Sequence, residues 1–154
     1  MNMIPAASGP SSTQRTSTFS ARTADVFLMI DSLETGGSER QFATIARALD
    51  PQKFHVHLGC IRSQGAFLDD FGDVAIPQFR LGGSAYGLRS WRTRLRLAHH
   101  LKHVHTAVAH AFDFYTNLAL VPAARIAGVP VVIGSHRQLG DLLSPARFRA
   151  QSFE

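Results

Sequence analysis

The sequence predicts an α/β fold with a parallel sheet, and two features of its apolar residues indicate this class. Short continuous apolar runs of strand length alternate along the chain with longer segments whose apolar residues recur at helical spacing. A run without polar interruptions is typical of a strand that is buried on both faces. Strands that alternate with amphipathic helices pair in parallel, with helices on both sides of the sheet.

The first strand and the first helix are the clearest of these elements. Residues 26–30 form a continuous apolar run, and the polar loop that follows ends in Gly36 and Gly37. Ser38 and Gln41 have the spacing of a capping box, which predicts a helix that begins just after the glycines. The helix has an apolar stripe made of Phe42, Ile45, Ala46 and Leu49.

The rest of the chain continues the alternation. Further strands are predicted at 54–61, 76–81, 106–111 and 131–133, and further helical segments at 67–71, 90–104 and 114–127. Pro122 lies inside the last helical segment and is expected to kink or split it, at a cost of about 3 kcal/mol outside a first turn. The polar residues 1–24 predict a flexible leader, and 25–154 a doubly wound, Rossmann-like domain.

Composition excludes several classes of protein. The chain has no run of the roughly 20 apolar residues that a membrane-spanning helix needs, and its first apolar run is too short for a secretory signal. A single cysteine, Cys60, excludes an internal disulfide framework and a cysteine-based zinc cage, so a cytoplasmic location is expected. His99 and His103 have the spacing of metal ligands on a helix, but no carboxylate accompanies them, so no metal is expected.

The charge is unevenly distributed along the chain. The net charge is +5, and no acidic residue lies between Asp73 and Asp113. One face of the helix at 90–104 carries the basic residues Arg92, Arg96, His99 and His103. The other face, which is expected to pack on the sheet, carries Trp91, Leu95, Ala98 and Leu101. The basic face would meet solvent or an anionic membrane surface, whereas nucleic acid is not expected because interleaved aromatic residues are missing.

The glycine pair is a candidate phosphate site, because ligands of doubly wound sheets bind beyond the carboxyl ends of the strands. Gly36 and Gly37 lie directly before a helix N-terminus, where free backbone N–H groups and the helix dipole attract an anion. The alternative is that the glycines only permit a tight turn. Neither GxxxxGK[ST] nor GxGxxG after the first strand is present, which excludes a P-loop NTPase and a standard dinucleotide fingerprint.

Two further candidate groups stand at the same edge. His110 ends the fourth strand, where an imidazole can hydrogen-bond a substrate or transfer a proton, unless it is a structural histidine. Arg137 and its neighbour His136 follow the fifth strand, where the guanidinium can bind phosphate or carboxylate or remain solvated. A GxSxG elbow, a Cys–His pair and a close pair of carboxylates are missing, so a hydrolase is not indicated.

Four segments, taken in order, resemble family 4 glycosyltransferases. They are 26–41, whose loop ends in Gly-Gly before Ser-Glu-Arg, and then 108–111, 123–132 and 134–137. The resemblance implies the GT-B architecture, in which two Rossmann-like domains face each other across a cleft. It also implies transfer of a sugar from a nucleotide-sugar donor to an acceptor, with retention at the anomeric carbon and without a metal or another cofactor.

The resemblance also implies roles for the candidate residues. Gly36 and Gly37 would face the donor diphosphate, and His110 would lie near the transferred sugar as the catalytic residue. Arg137 and His136 would line the cleft on the acceptor side. The N-terminal domain of this family mainly handles the acceptor, often a lipid-linked or membrane-surface molecule, which agrees with the basic helix.

The resemblance also bears on the extent of the chain. In that family a C-terminal domain with a Glu-x7-Glu motif holds most of the donor nucleotide, and this chain ends at Glu154. We therefore expect a Rossmann-like sheet that is incomplete at its C-terminal edge, and a chain that is inactive alone. The alternative function is a non-catalytic α/β module that binds an anionic or membrane-surface partner through the basic helix.

Overall fold

Strands and helices alternate through residues 23–84 and 86–135, which the computed structural model describes. The strands are β1 (Ala24–Ile30), β2 (Phe54–Cys60), β3 (Val108–Ala111) and β4 (Val131–Gly134). The α-helices are α1 (Gly37–Ala48), α2 (Leu88–His103) and α3 (Phe114–Ala127), and a 3₁₀ helix spans Ala66–Phe71. No helix in this part of the chain is long and apolar enough to cross a membrane.

All four strands pair in parallel, in the order β2-β1-β3-β4. Leu28 in the middle of β1 pairs with Leu58 of β2 on one side and with His110 of β3 on the other. The strand order therefore reverses between β1 and β3. Open α/β sheets bind ligands at such a point, in the crevice beyond the carboxyl ends of the strands.

Apolar side chains alternate between the two faces of the sheet and form two separate cores. One core lies under α1 and includes Leu28, Phe42 and Phe112. The other lies under α2 and α3 and includes Phe27 and Leu101. Helices thus cover both faces, which confirms the predicted doubly wound, Rossmann-like sheet. β4 is an edge strand of the sheet that the described residues form.

The third strand predicted at 76–81 is wrong. This segment makes one parallel bridge, between Gln78 and Cys60 at the carboxyl end of β2. The amide N of Cys60 donates to the carbonyl of Pro77 at 3.1 Å, and the amide N of Phe79 donates to the carbonyl of Cys60 at 2.8 Å. Pro77 has no N–H of its own, so it cannot extend this ladder toward the amino end of β2.

The predicted capping box of Ser38 and Gln41 is also wrong, because the N-cap of α1 is Gly36, two residues before Ser38, and it has no side-chain bond. A capping box is present instead at the start of α3. The amide N of Thr116 donates to Oδ1 of Asp113, and the amide N of Asp113 donates to Oγ1 of Thr116, both at 3.0 Å. This reciprocal pair fixes the turn that follows β3.

The predicted split of the last helix at Pro122 is wrong, because α3 runs through it as one helix. Proline has no N–H to donate to the carbonyl four residues before it, which here belongs to Leu118. Arg94 of α2 supplies a donor in its place, since its Nε lies 2.8 Å from that carbonyl oxygen. Arg94 is buried, and burial lowers the pKa of its guanidinium. This arginine therefore belongs to the contact between α2 and α3.

The other predicted elements are confirmed, with ends that shift by at most two residues. β1 begins at Ala24, one residue before the predicted start of the domain, and most of the predicted leader at 1–24 lies outside the described residues. His136 and Arg137 also lie outside them, so their roles stay predictions.

Candidate functional site

The loops after β1 and β2 hold each other at the carboxyl end of the sheet. The amide N of Leu33 donates to the carbonyl of Gln64 at 2.8 Å, and the amide N of Phe67 donates to the carbonyl of Leu33 at 3.0 Å. Between these bonds Gly65 has a φ of +125°, and a Cβ there would overlap the backbone of Leu33 and Glu34. Only glycine fits at this position. The close approach fixes the path of the chain toward the glycine pair.

The backbone conformation at the start of α1 does not require glycine at Gly36 or at Gly37. Gly36 has a φ of −163°, an extended conformation that any residue adopts. A Cβ at Gly37 would meet no atom within 4 Å. A Cβ at Gly36 would first meet the carboxyl group of Glu39, at the far end of a flexible side chain. The turn alone therefore does not explain two glycines here, and their contact with a diphosphate stays a prediction.

A carboxylate of the chain itself lies at the N-terminus of α1. Glu39 is the acidic residue of the first turn, and its Oε2 lies beside Gly36. The first N–H groups of a helix carry partial positive charge, which stabilises an exposed carboxylate by about 0.3–1 kcal/mol. The same groups attract phosphate oxygens. A phosphate bound here would therefore have to displace the Glu39 carboxylate.

His110 lies near the carboxyl end of β3, on the face of the sheet that α1 covers. Its Nε2 is 2.8 Å from Oγ of Ser135, the residue that follows β4. Its ring stacks on Phe112, with centroids 4.1 Å apart and an angle of 26° between the planes. These contacts hold the half-buried imidazole in one orientation. Nε2 accepts the serine proton in one tautomer and donates its own proton in the other.

Sequence reasoning did not single out Ser135, although a signal for it was present. It belongs to the segment 134–137 that carries the resemblance, and it directly follows a strand. The pairing of Ala111 with Gly134 places it at the carboxyl edge beside β3. The structure thus joins two separate candidate segments through one hydrogen bond.

Three charged residues are joined by hydrogen bonds at the carboxyl ends of β1, β2 and β3. Arg62 donates from Nη2 to Oδ2 of Asp31 at 2.7 Å, and the amide N of Asp31 donates to Oδ2 of Asp113 at 2.8 Å. Burial raises the pKa of the Asp113 carboxyl, and its hydrogen bonds from Thr116 and Asp31 oppose that shift. Sequence reasoning missed these three residues, whose common signal is a position one or two residues after a strand.

A cavity of about 260 Å³ lies beside this charged group. Its lining consists of Asp31, Ile61, Arg62, Leu81 and Tyr115. Small-ligand pockets usually span roughly 300–1,000 Å³, so this cavity lies near their lower limit. A larger cavity of about 530 Å³ lies along residues 56–58 of β2 and the segment 74–77, short of the carboxyl ends of the strands. The smaller cavity is therefore the one that lies at the carboxyl ends of the strands, where open α/β sheets bind ligands.

The single thiol is not available for chemistry. Cys60 is fully buried, and burial raises the pKa of its thiol to about 11, with a smaller contribution from Asp31. A thiol with this pKa stays protonated at neutral pH and is a poor nucleophile. This finding agrees with the missing Cys–His pair in the sequence.

Part of the predicted orientation of α2 is wrong. Trp91 and Leu95 were expected to pack on the sheet, but they are 49% and 44% exposed. Small polar side chains anchor the buried side of the helix instead. Ser90 donates from Oγ to the carbonyl of Ser84 at 2.6 Å, and Thr93 donates from Oγ1 to the carbonyl of Arg80 at 2.8 Å. These bonds turn the tryptophan and the leucine outward.

The solvent-facing surface of α2, named here the α2 face, combines apolar and basic residues. It consists of Leu88, Arg89, Trp91, Arg92, Leu95, Arg96, His99, Lys102 and His103. Leu88, Trp91 and Leu95 follow one another at helical spacing on one side of this face, and Leu88 is 76% exposed. Arg96 is partly engaged within the molecule, because its Nη2 donates to the carbonyl of Gln78 at 2.9 Å.

Comparison with known families identifies the region that contains these features. Residues 35–154, more than three quarters of the chain, match the family model described as Glycosyltransferase Family 4. The matched region includes the glycine pair, His110, Ser135 and the whole of α2. No curated protein matches the chain.

Proposed function

The chain belongs to glycosyltransferase family 4, and we propose that it takes part in the retaining transfer of a sugar from a nucleotide-sugar donor to an acceptor at a membrane surface. One observation carries the proposal. The glycine pair after β1 and the bonded pair of His110 and Ser135 lie at the carboxyl ends of the adjacent strands between which the strand order reverses. Ligands of doubly wound sheets bind at that position.

The glycine pair is proposed to receive the donor diphosphate. Neither Gly36 nor Gly37 has a backbone angle or a neighbouring backbone that requires glycine. Because these side chains are missing, phosphate oxygens can reach the N–H groups of α1 once the Glu39 carboxylate moves aside. Glu39 already places a carboxylate oxygen beside Gly36, which supports the affinity of this helix end for an anion.

His110 is proposed to contact the transferred sugar. Its bond to Ser135 and its stacking on Phe112 fix the direction of both ring nitrogens before a substrate binds. A fixed imidazole can donate a hydrogen bond to, or accept one from, a sugar hydroxyl without losing side-chain freedom at that moment. The resemblance implies that a second domain supplies most contacts to the nucleotide, so we expect transfer only with that domain present.

The acceptor is proposed to lie at an anionic membrane surface. Interfacial helices carry tryptophan and leucine on one side and basic residues on the other, as the α2 face does. No acidic residue between Asp73 and Asp113 opposes its charge. In this crossover, α2 begins at the carboxyl end of the sheet, so its apolar first turns lie at the same end as the proposed site. The cytoplasmic leaflet is anionic, which favours a cytoplasmic location.

The test is a sugar-transfer assay with the C-terminal domain present. His110→Asn removes the imidazole and should lower kcat by about 100-fold, as loss of one hydrogen bond that stabilises a transition state does. Ser135→Ala leaves the imidazole but releases it, and should lower kcat less. His105→Asn is the matched control, because His105 is an exposed histidine with a φ of +50° that asparagine tolerates.

The outcome separates the two functions that the sequence leaves open. A His110→Asn enzyme that melts normally and retains the wild-type kcat would contradict the role of His110. A protein that transfers no sugar with the second domain present, yet binds anionic vesicles, would favour the non-catalytic module.

A further inference from the structure

Three potential metal ligands converge at the amino end of the sheet, opposite the proposed site. Asp25 of β1 pairs in register with His55 of β2. Oδ1 of Asp25 lies 2.8 Å from Nε2 of His57 and 3.4 Å from Nδ1 of His55. The three ligand atoms all lie within 4.8 Å of one another. Two imidazoles and a carboxylate are the ligand types that bind zinc in proteins.

The strand geometry explains this convergence. Side chains alternate along a strand, so His55 and His57 share the face of β2 opposite the one on which Val56 packs. Asp25 lies on the same face of the neighbouring strand. Backbone bonds hold this end of β1 on both sides: the amide N of Ala24 donates to the carbonyl of Lys53, and the amide N of Ala107 donates to the carbonyl of Asp25. The three side chains therefore project from a rigid backbone.

We propose that Asp25, His55 and His57 bind a divalent transition-metal ion of the zinc type. Ligand atoms about 2.0–2.1 Å from a tetrahedral Zn²⁺ lie roughly 3.3–3.4 Å apart. The distance from Asp25 to His57, 2.8 Å, is shorter than this spacing, and the distance from Asp25 to His55, 3.4 Å, agrees with it. Small side-chain rotations therefore suffice to form the site. The ion would join β1 and β2 through side chains, in addition to their backbone ladder.

The surroundings of the cluster allow an ion to enter. The side chains of Asp25 and His57 are 28% and 26% exposed, and that of His55 is 77% exposed. The cavity of about 530 Å³ borders His57 on one side and residues 74–77 on the other. His100 also lines this cavity, but its ring packs against Phe27 and Phe79, with centroids 5.6 and 5.5 Å away. Three protein ligands with one position left for water are therefore expected.

The proposed metal site is independent of the proposed sugar transfer. It lies at the other end of the strands, and the resemblance implies a reaction without a metal. The expectation of no metal rested on the resemblance, on the single cysteine and on the pair of His99 and His103, none of which concerns these three residues. Asp25 and His55 are far apart in sequence, and only the pairing of β1 with β2 brings them together.

The experiment is a titration of the metal-stripped 154-residue chain with Zn²⁺ by calorimetry, together with the visible absorption of Co²⁺. We expect one equivalent of Zn²⁺ to bind and to raise the melting temperature, and Co²⁺ to give the intense visible bands of a tetrahedral site. His55→Asn and Asp25→Asn should each weaken binding by more than the roughly 10–100-fold that loss of an outer-shell partner costs. Mg²⁺ should not compete.

The controls separate this site from other histidines and from misfolding. His55 is mostly exposed, so His55→Asn should melt like the wild type without metal. The double variant His99→Asn/His103→Asn removes the helical histidine pair and should bind Zn²⁺ like the wild type. The proposal is overturned if the wild type binds no Zn²⁺, if His55→Asn binds it equally well, or if the double variant loses it.

Discussion

The two ends of the sheet hold their polar side chains in different ways. At the carboxyl end, both oxygens of Asp113 accept hydrogen bonds from backbone N–H groups, and Gly65 lets two loops pack backbone against backbone. At the amino end, the carboxylate of Asp25 is met by the imidazoles of His55 and His57. The Asp113 carboxylate is thus bonded to the backbone, whereas the Asp25 carboxylate is bonded to other side chains.

The difference indicates what each end can do. Polar groups that bond to the backbone are committed to positioning the loops, so they are not the residues that we propose for substrate contact, Gly37 and His110. Side chains that bond only to one another can rotate around a ligand at little cost. We therefore expect substitution of the backbone-packed or backbone-bonded residues at the carboxyl end, Gly65 and Asp113, to affect folding strongly, and substitution of Asp25 at the amino end to affect it weakly.

The largest effect is expected for Gly65→Ala. The new methyl group would overlap the backbone of Leu33 and Glu34 at a φ that L residues rarely adopt. We expect a loss of about 3 kcal/mol or more in the free energy of unfolding, measured by urea denaturation. Gly128→Ala is the control, since Gly128 has a φ of +74° but open space around a Cβ, and strain alone costs about 1–2 kcal/mol. Equal losses in the two variants would contradict the backbone packing described here.

A smaller effect is expected for Asp113→Ala, compared with Asp25→Ala at the other end. Loss of Asp113 removes the cap of α3 and leaves the amide of Asp31 without its acceptor. This should cost about 2 kcal/mol, measured by denaturation. Asp25→Ala removes a pair whose side chains are 28% and 26% exposed, but no backbone N–H loses a hydrogen bond that the structure shows, so it should cost less, about 1 kcal/mol, in the metal-free chain. A larger loss for Asp25→Ala would reverse the comparison between the two ends.

The α2 face connects the two ends, and the membrane binding proposed for it should depend on both its apolar and its basic residues. Replacing Arg92 by Glu should weaken binding to anionic vesicles by about 1 kcal/mol or more, and added salt should weaken the wild type. Trp91→Ala should also weaken binding to anionic vesicles, and this loss should not depend on the salt concentration, because the contact removed is apolar. Arg125→Glu, on the exposed side of α3, is the matched control and should change binding less. Equal binding to neutral and anionic vesicles would contradict this role.

The smallest effect is the pH dependence that His100 imparts at the amino end. Burial lowers the pKa of folded His100 below its ordinary value of 6.5, and the nearby His57, His103 and His99 lower it further. The unfolded chain therefore takes up more protons below pH 6.5, so stability is full above that pH and decreases as the pH falls toward the lowered pKa. His100→Phe should retain the ring contacts and show a weaker loss on acidification. An unchanged pH profile would contradict this.

Much of the fold could be predicted because periodicity reports which residues face a core. The apolar run at 26–30 predicts a strand buried on both faces, and the stripe through Phe42 predicts a helix with one buried face. The structure shows both. The predicted third strand failed because the β-type residues at 76–81 include Pro77, which has no N–H to donate to a neighbouring strand. The predicted split of α3 failed because the donor that compensates for Pro122 is Arg94, on another helix.

The candidate site was less predictable, because its geometry depends on long-range contacts. Gly36, Gly37 and His110 are found from their positions after strands, but the bond from His110 to Ser135 needs the pairing of β3 with β4. The outward position of Trp91 depends on buried polar residues of α2, and apolar periodicity cannot show these. Substrate roles remain predictions for all of these residues.

The central claim is that the crevice between β1 and β3 receives the donor diphosphate, and Gly37→Val tests it most directly. A Cβ at Gly37 meets open space, as does one at Gly83 in the loop before α2, so Gly83→Val is the matched control. The measurement is the KM for the nucleotide-sugar donor, with the C-terminal domain present, alongside the melting curve of each variant. We predict normal melting for both variants and a KM that rises tenfold or more, about 1.4 kcal/mol, for Gly37→Val alone. A Gly37→Val enzyme that melts normally and keeps the donor KM of the wild type would contradict the claim.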